Sequence, residues 1–195
     1  MNIINLPQPL SSIFELNNFG DKTQEIPIIF DRLIAAMVDL LQCDRCFLYL
    51  RDPELQIGQI MHCYCLHPEI PNLQYSEPSL EPIYLAQSNP LFAAALQCER
   101  NIFLDRINST SCNESDLNFF QQNYEGQKSL IQAHICSQNE LWGIFQASQF
   151  ARSRPWTKFD RNLINTVIDR ITPLVTMYVK RELRHTIQVI NDGNQ

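Results

Sequence analysis

Cysteine is the residue type in this chain whose number and spacing invite a chemical reading. Seven occur, and two groups lie close together, Cys43-x-x-Cys46 and Cys63-x-Cys65. Thiolates at such spacings are ligands of zinc or of iron–sulfur clusters when four of them converge on one centre. In a regular strand Cys63 and Cys65 share one face, with His62, Tyr64 and Leu66 on the other. A C-x-C without a turn does not wrap two thiolates around a metal, and no second C-x-x-C follows. Packed thiols are therefore the first expectation for most of the seven, and an odd count argues against a disulfide framework. Among the histidines, His62 and His134 alternate with apolar residues, His67 opens a proline-rich stretch and His185 lies near the C-terminus. No H-E-x-x-H and no Cys-His-Asn order can be assembled from them, and no nucleophile, base and orienting group fall into a recognisable arrangement, so no catalysis is expected.

The five glycines, Gly20, Gly58, Gly126, Gly143 and Gly193, stand too far apart for a dinucleotide-binding or phosphate-cradling loop. Fifteen basic against 21 acidic residues give a net charge of −6 and no footprint for nucleic acid or an anionic membrane. No apolar run approaches the roughly 18 residues that span a bilayer, and Met1 to Leu10 does not read as a signal peptide. The expected location is cytoplasmic, where cysteines stay reduced.

These residues are held by the following expected elements. Residues 1–24 read as a polar lead-in without a sustained period, and residues 25–190 as one domain ending in a long helix. Pro27 and the spacing of Ile29, Leu33, Ile34, Met37, Leu40 and Leu41 predict a helix over 26–42. Cys46 to Arg51 and Ile60 to Leu66 predict a β-hairpin, and the prolines of 67–83 a long loop over the sheet. Ser88-Asn89-Pro90 starts a short helix, Asn101 to Leu104 is a strand, and Ser115 caps a second short helix carrying Leu117, Phe119 and Phe120. Ser129 to Cys136 and Leu141 to Ser148 form a second hairpin. Thr157 and Asp160 form a capping box opening a helix that keeps an apolar face to Tyr178 and should kink at Pro173. Hairpins with helices at the ends and in the middle imply an α+β domain with an antiparallel sheet. The faces formed by Ile29, Leu33 and Met37 and by Leu163, Val167, Ile171, Leu174 and Tyr178 exceed what one sheet face needs, which predicts a dimer or partner interface.

The segment Leu141 to Ile171, with Leu141-Trp142-Gly143 and Arg154-Pro155-Trp156 before a long helix, resembles the C-terminal part of GAF domains, and Phe30 to Glu54 resembles their first helix and strand. The likeness is to GAF domains of cyanobacterial photoreceptors and sensor kinases. It implies a six-stranded antiparallel sheet with the N- and C-terminal helices on one face and short helices and loops over a pocket on the other. It also implies a regulatory module that forms a homodimer through its first and last helices and meets a protein partner. In bilin-binding relatives a Cys-His pair precedes the fifth strand; counted back from Trp142, those positions hold Leu117 and Asn118, so a covalent bilin is not expected. Asp44-Arg45-Cys46-Phe47 matches a second attachment string in its letters but begins the first strand, where a packed cysteine is the simpler reading. The alternative is a cofactor-carrying sensor with a non-covalent tetrapyrrole or a Cys-ligated iron–sulfur cluster, for which the candidate residues are Cys63, Cys65, His67, Cys112 and His134.

Overall fold

The computed structural model describes residues 7–15, 25–75, 77–107 and 126–184. Its helices are α1 (Gln8–Glu15), α2 (Ile26–Leu41), α3 (Leu85–Ser88), α4 (Pro90–Leu96) and α5 (Lys158–Tyr178), the last running on into a π-helical turn, Val179–Leu183. The strands are β1 (Arg45–Asp52), β2 (Ile57–Cys65), β3 (Ser79–Leu80), β4 (Ile102–Leu104), β5 (Ser129–Ser137) and β6 (Glu140–Gln149). They form one six-stranded sheet in the order β3-β2-β1-β6-β5-β4, with every neighbouring pair antiparallel. This is the α+β arrangement expected from the sequence.

Strand alternation divides the sheet into two faces. Cys46, Leu48 and Leu50 of β1 stand beside Ala147, Phe145 and Gly143 of β6, and with Ile131, Ala133 and Ile135 of β5 they meet the apolar faces of α2 and α5 in the main core. The residues between them, Phe47 and Tyr49 of β1, Gln132 of β5, and Ile144 and Gln146 of β6, face the opposite way, toward α4 and the segment before it. Side-chain caps start α4 and α5. The Asn89 side chain accepts the Phe92 N–H at 2.9 Å, with Pro90 at the first position of α4. Thr157 Oγ1 accepts the Asp160 N–H at 3.2 Å while Asp160 Oδ2 accepts the Thr157 N–H at 2.7 Å, closing the capping box. The β5–β6 turn is left-handed at both Gln138 and Asn139, the geometry that fits the twist of a two-residue hairpin. The expected helix after Ser115 lies outside the described residues.

Two expectations are corrected. Within the supposed lead-in, α1 is a helix whose Leu10 and Ile13 are buried in the main core and whose Phe14 ring lies 5.6 Å from the Arg170 guanidinium of α5. The eight residues set aside as an interface, Ile29, Leu33, Met37, Leu163, Val167, Ile171, Leu174 and Tyr178, are all buried within the single chain. The apolar area that looked excessive is consumed by the sheet, by contact between α2 and α5, and by α1 lying against them. Leu10→Ala should therefore lower stability by about 3 kcal/mol, the cost of a cavity at a filled core position. Urea denaturation checks this, and a change below about 0.5 kcal/mol, as for a surface residue, would show that α1 is not part of the core.

Candidate functional site

On the sheet face away from α2 and α5, a cavity of about 200 Å³ lies between the strands and the chain from Tyr75 to Phe92. Its floor is Phe47, Tyr49, Ile60, Gln132, Ile144 and Gln146; its cover includes Tyr75, Glu81, Leu85 and Phe92. The proline-rich stretch thus does fold over the sheet, and it contributes the edge strand β3 through Ser79 and Leu80. The cover is fastened by an ion pair. Arg51 Nε and Nη2 donate to Glu81 Oε1 and Oε2 at 2.8 and 3.0 Å, with both side chains less than a tenth exposed. Tyr49 donates its hydroxyl to the same Glu81 Oε1 at 2.7 Å, and burial beside that carboxylate pushes the phenol well above its ordinary pKa. A Cβ on Gly58 would stand 1.7 Å from Tyr49 Oη, so glycine at this position leaves room for the ring in that place.

Side-chain amides supply the other polar groups. Gln132 Nε2 donates to the Leu91 carbonyl at 2.7 Å and lies 3.1 Å from His134 Nε2; Gln146 Nε2 donates to Gln132 Oε1 at 3.5 Å. Gln146 Oε1 is buried with no hydrogen-bond partner among the described residues.

The sequence candidates distribute differently. His134 is buried but does not line the cavity; its ring bonds Gln132 and, through Nδ1–H, the Glu99 carbonyl at 3.0 Å, while its backbone N–H donates to Asn101 Oδ1. It is a fastening between β5 and the α4–β4 connection. His62 lies on the other side of the sheet, bonded to Asp31 of α2 and edge-on to Phe30. His67 is exposed in the loop after β2. Cys112 lies outside the described residues. Cys63 and Cys65 do share a face, with their sulfurs 4.0 Å apart, but neither lines the cavity. Cys43 and Cys46 touch at 3.3 Å inside the core under α2, across the sheet from that pair, so the four thiols do not converge on one centre. Cys98 and Cys136 form a third thiol pair. Burial and the adjacent thiol raise Cys46 and Cys136 and push Cys65 up to about 11, so at neutral pH these three are thiols, not the thiolates that bind metal or attack. No cluster of three or more metal-ligating side chains occurs among the described residues.

The buried His134 carries a pH prediction. Desolvation holds its folded-state pKa below the 6.5 of an exposed imidazole, so below pH 6.5 the unfolded chain binds the proton more readily. The contribution of the neutral ring is complete above that pH and is lost progressively as pH falls toward the lowered folded value. Denaturation midpoints from about pH 8 to about pH 5 should fall more steeply in the wild type than in His134→Gln, and parallel curves would contradict the assignment.

The GAF domain family profile matches residues 25–172. This chain belongs to the GAF domain family. The match begins after α1 and ends within α5, and no curated protein matches the chain. The blue-light absorbing form of the Thermosynechococcus elongatus PixJ GAF domain superposes with a TM-score of 0.59 at 16% identity, covering 90% of this chain and 98% of that one. A far-red absorbing dark state with bound biliverdin IXa gives 0.62 at 17% identity over 88% of this chain and 99% of that one. The GAF domain of an Acinetobacter phosphoenolpyruvate-protein phosphotransferase gives 0.56 at 16% identity over 87% and 91%. At these identities the likeness is one of fold. GAF domains are sensory and regulatory modules, and this one has their fold. No helix among the described residues is long and apolar enough to cross a membrane.

Proposed function

We propose that this GAF domain is a non-catalytic regulatory module that binds a small ligand in its cavity and passes that occupancy to a protein partner through its terminal helix. One observation carries the reading. Adjacent residues at the end of β1 point to opposite faces: Arg51 holds the cavity cover through Glu81, and the fully buried Asp52 holds Arg184, just past the π-helical turn, through Oδ2 at 2.5 Å and Oδ1 at 3.3 Å. Arg184 also reaches Glu54 at 3.1 Å. A ligand that shifts the cover shifts the strand end on which the terminal helix is anchored, which supplies the differential contact a regulatory coupling requires.

Hydrogen exchange on Glu81→Ala tests this without any ligand. Faster exchange is expected both in Ser79–Leu85 and in Val179–Arg184; a change confined to the cover would overturn the coupling.

The reading holds no covalent bilin. It is supported by Leu117 and Asn118 at the positions of the attaching pair, and by a described cavity smaller than the roughly 300 Å³ at which drug-sized ligands begin to fit, which a tetrapyrrole exceeds. The carboxylate that lines the cavity, Glu81, is already committed to Arg51. Co-production with bilin-synthesising enzymes should yield protein without a visible band after denaturation; a retained band would overturn this part. The partner assigned to the module includes a second copy, meeting the outer sides of α2 and α5, where Ile28 and Phe159 are each 52% exposed. Sedimentation at micromolar concentration should show a dimer, and a monomer would remove that element.

A further inference from the structure

We infer that the outer side of the cavity cover, formed by Leu55, Leu80, Ile83 and Tyr84, is the docking surface for an amphipathic helix of a protein partner, one that carries lysine or arginine beside an apolar stripe. This surface is separate from the terminal helix, and the inference does not depend on what the cavity holds. Polarity along the cover is inverted. Glu81 has the buried side chain, 8% exposed against Arg51, whereas Leu80, Ile83 and Tyr84 on either side of it are 73%, 97% and 65% exposed. Leu80 also borders the cavity. Ile83 and Tyr84 occupy the two central positions of a turn that the Leu85 N–H closes onto the Pro82 carbonyl at 2.8 Å. Such positions ordinarily take small or polar residues, and the turn itself has no need of a β-branched and an aromatic side chain. Leu80 pairs with Ile57, and the Glu81 N–H donates to the Gln56 carbonyl at 2.9 Å, so the turn bearing Leu55 lies alongside. Apart from Ile28 and Phe159, every large apolar side chain exposed among the described residues falls between Leu55 and Tyr84. Monomeric domains rarely gather exposed apolar groups in this way without a partner.

Charge and backbone fix the occupant. No lysine or arginine occurs between Arg51 and Arg100. Of the carboxylates in that stretch, Glu81 is spent on Arg51, and Asp52 on Arg184, whose single charge is shared with the exposed Glu54 beside Leu55. Glu77, two residues before β3, is exposed and has no ion pair among the described residues. The rim of the apolar surface is therefore negative, and its complement is a cation-bearing partner. The same rim opposes a second copy of this chain and an anionic membrane. Strand addition is also disfavoured. β3 is the outermost strand of the sheet, but it is two residues long and stands between Pro78 and Pro82, the devices that blunt an edge against pairing. What this surface offers is side chains, which suits a helix whose own backbone bonds are already satisfied.

A fluorescent helical peptide of leucine and lysine, with its leucines along one face, and the same peptide with glutamate in place of lysine are the matched probes. Titrated against the full chain and read by anisotropy, the lysine peptide should bind saturably and at least about tenfold more tightly than the glutamate peptide. Ile83→Ser should weaken the lysine peptide at least about tenfold. Because Ile83 is 97% exposed, that variant should keep the wild-type melting temperature. Phe159→Ser, at the exposed aromatic away from the cover, should leave the affinity unchanged. In the wild-type protein the amide resonances of Leu55 and of Ser79–Leu85 should move with the lysine peptide. No saturable binding, equal affinities for the two peptides, an affinity unmoved by Ile83→Ser, or an equal loss in Phe159→Ser would overturn the assignment. If Ile83→Ser instead dissociates a wild-type dimer, the surface belongs to a second copy; if it abolishes binding to phosphatidylglycerol vesicles, it belongs to a membrane; either result overturns the partner named here. The coupling from cover to terminal helix is read in the Glu81→Ala protein without any peptide and stands or falls separately.

Discussion

Gly143→Ala should be the most damaging single-methyl change in this domain, lowering stability by about 3 kcal/mol and the melting temperature by roughly 10 °C. Gly143 lies on β6 opposite Leu50 of β1, on the face covered by α5. A Cβ there would stand 2.6 Å from the Tyr49 carbonyl oxygen, 3.3 Å from Ile135 and 3.6 Å from Val175. The first of these atoms is backbone of the neighbouring strand, so relief requires β1 and β6 to separate at the centre of the sheet. This gives the Leu141-Trp142-Gly143 string its physical reason. Leu141 closes the apolar end of the cavity layer beside Phe92 and Ile144, Trp142 is buried under Lys180 from the turn after α5, and Gly143 lets the strands approach beneath that helix. Thermal unfolding checks the value; a loss below about 1 kcal/mol would show that the strands can shift apart at little cost.

Arg51→Met should cost about 3 kcal/mol and open the cavity. It strips Glu81 of its ion partner while Tyr49 still holds the carboxylate in a buried position, and it removes the bond from Arg51 Nη1 to the Leu141 carbonyl at 3.3 Å. An unpaired buried charge is the expensive outcome, whereas exchanging both partners for apolar groups is much cheaper. Arg51→Met with Glu81→Met should therefore recover much of the loss, with a coupling energy of about 2 kcal/mol in a double-mutant cycle measured by urea denaturation. Additive losses would mean that the pair is solvated and does not fasten the cover.

Legibility in the sequence followed the range of the interactions. Thr157 and Asp160 are three residues apart and their reciprocal bonds could be read directly, as could Asn89 before Pro90 and the two hairpins. α1 was missed because Pro7, Pro9, Ser11 and Ser12 obscure its period, and its order comes from burying Leu10 and Ile13 against helices far along the chain. The burial of the eight residues named for an interface is hidden for the same reason: counting apolar residues on α2 and α5 does not show that α1 joins them. The cavity's polar groups carried no local signal. Arg51 and Glu81 are 30 residues apart, Gln132 and Leu91 are 41 apart, and glutamines on strands look like surface residues until register places them inside. Cysteines drew attention by number, yet Cys43 and Cys46 are core and Cys63 and Cys65 lie beyond the cavity.

The account turns on the cavity cover and the terminal helix being held by the same strand end, and hydrogen exchange of the full chain compared between the wild type and Glu81→Ala tests that most directly. Exchange should quicken together in Ser79–Phe92, which covers the cavity, and in Val179–Arg184, which Asp52 holds from the other side of the sheet. Faster exchange confined to the cover, with Val179–Arg184 unchanged, would contradict it.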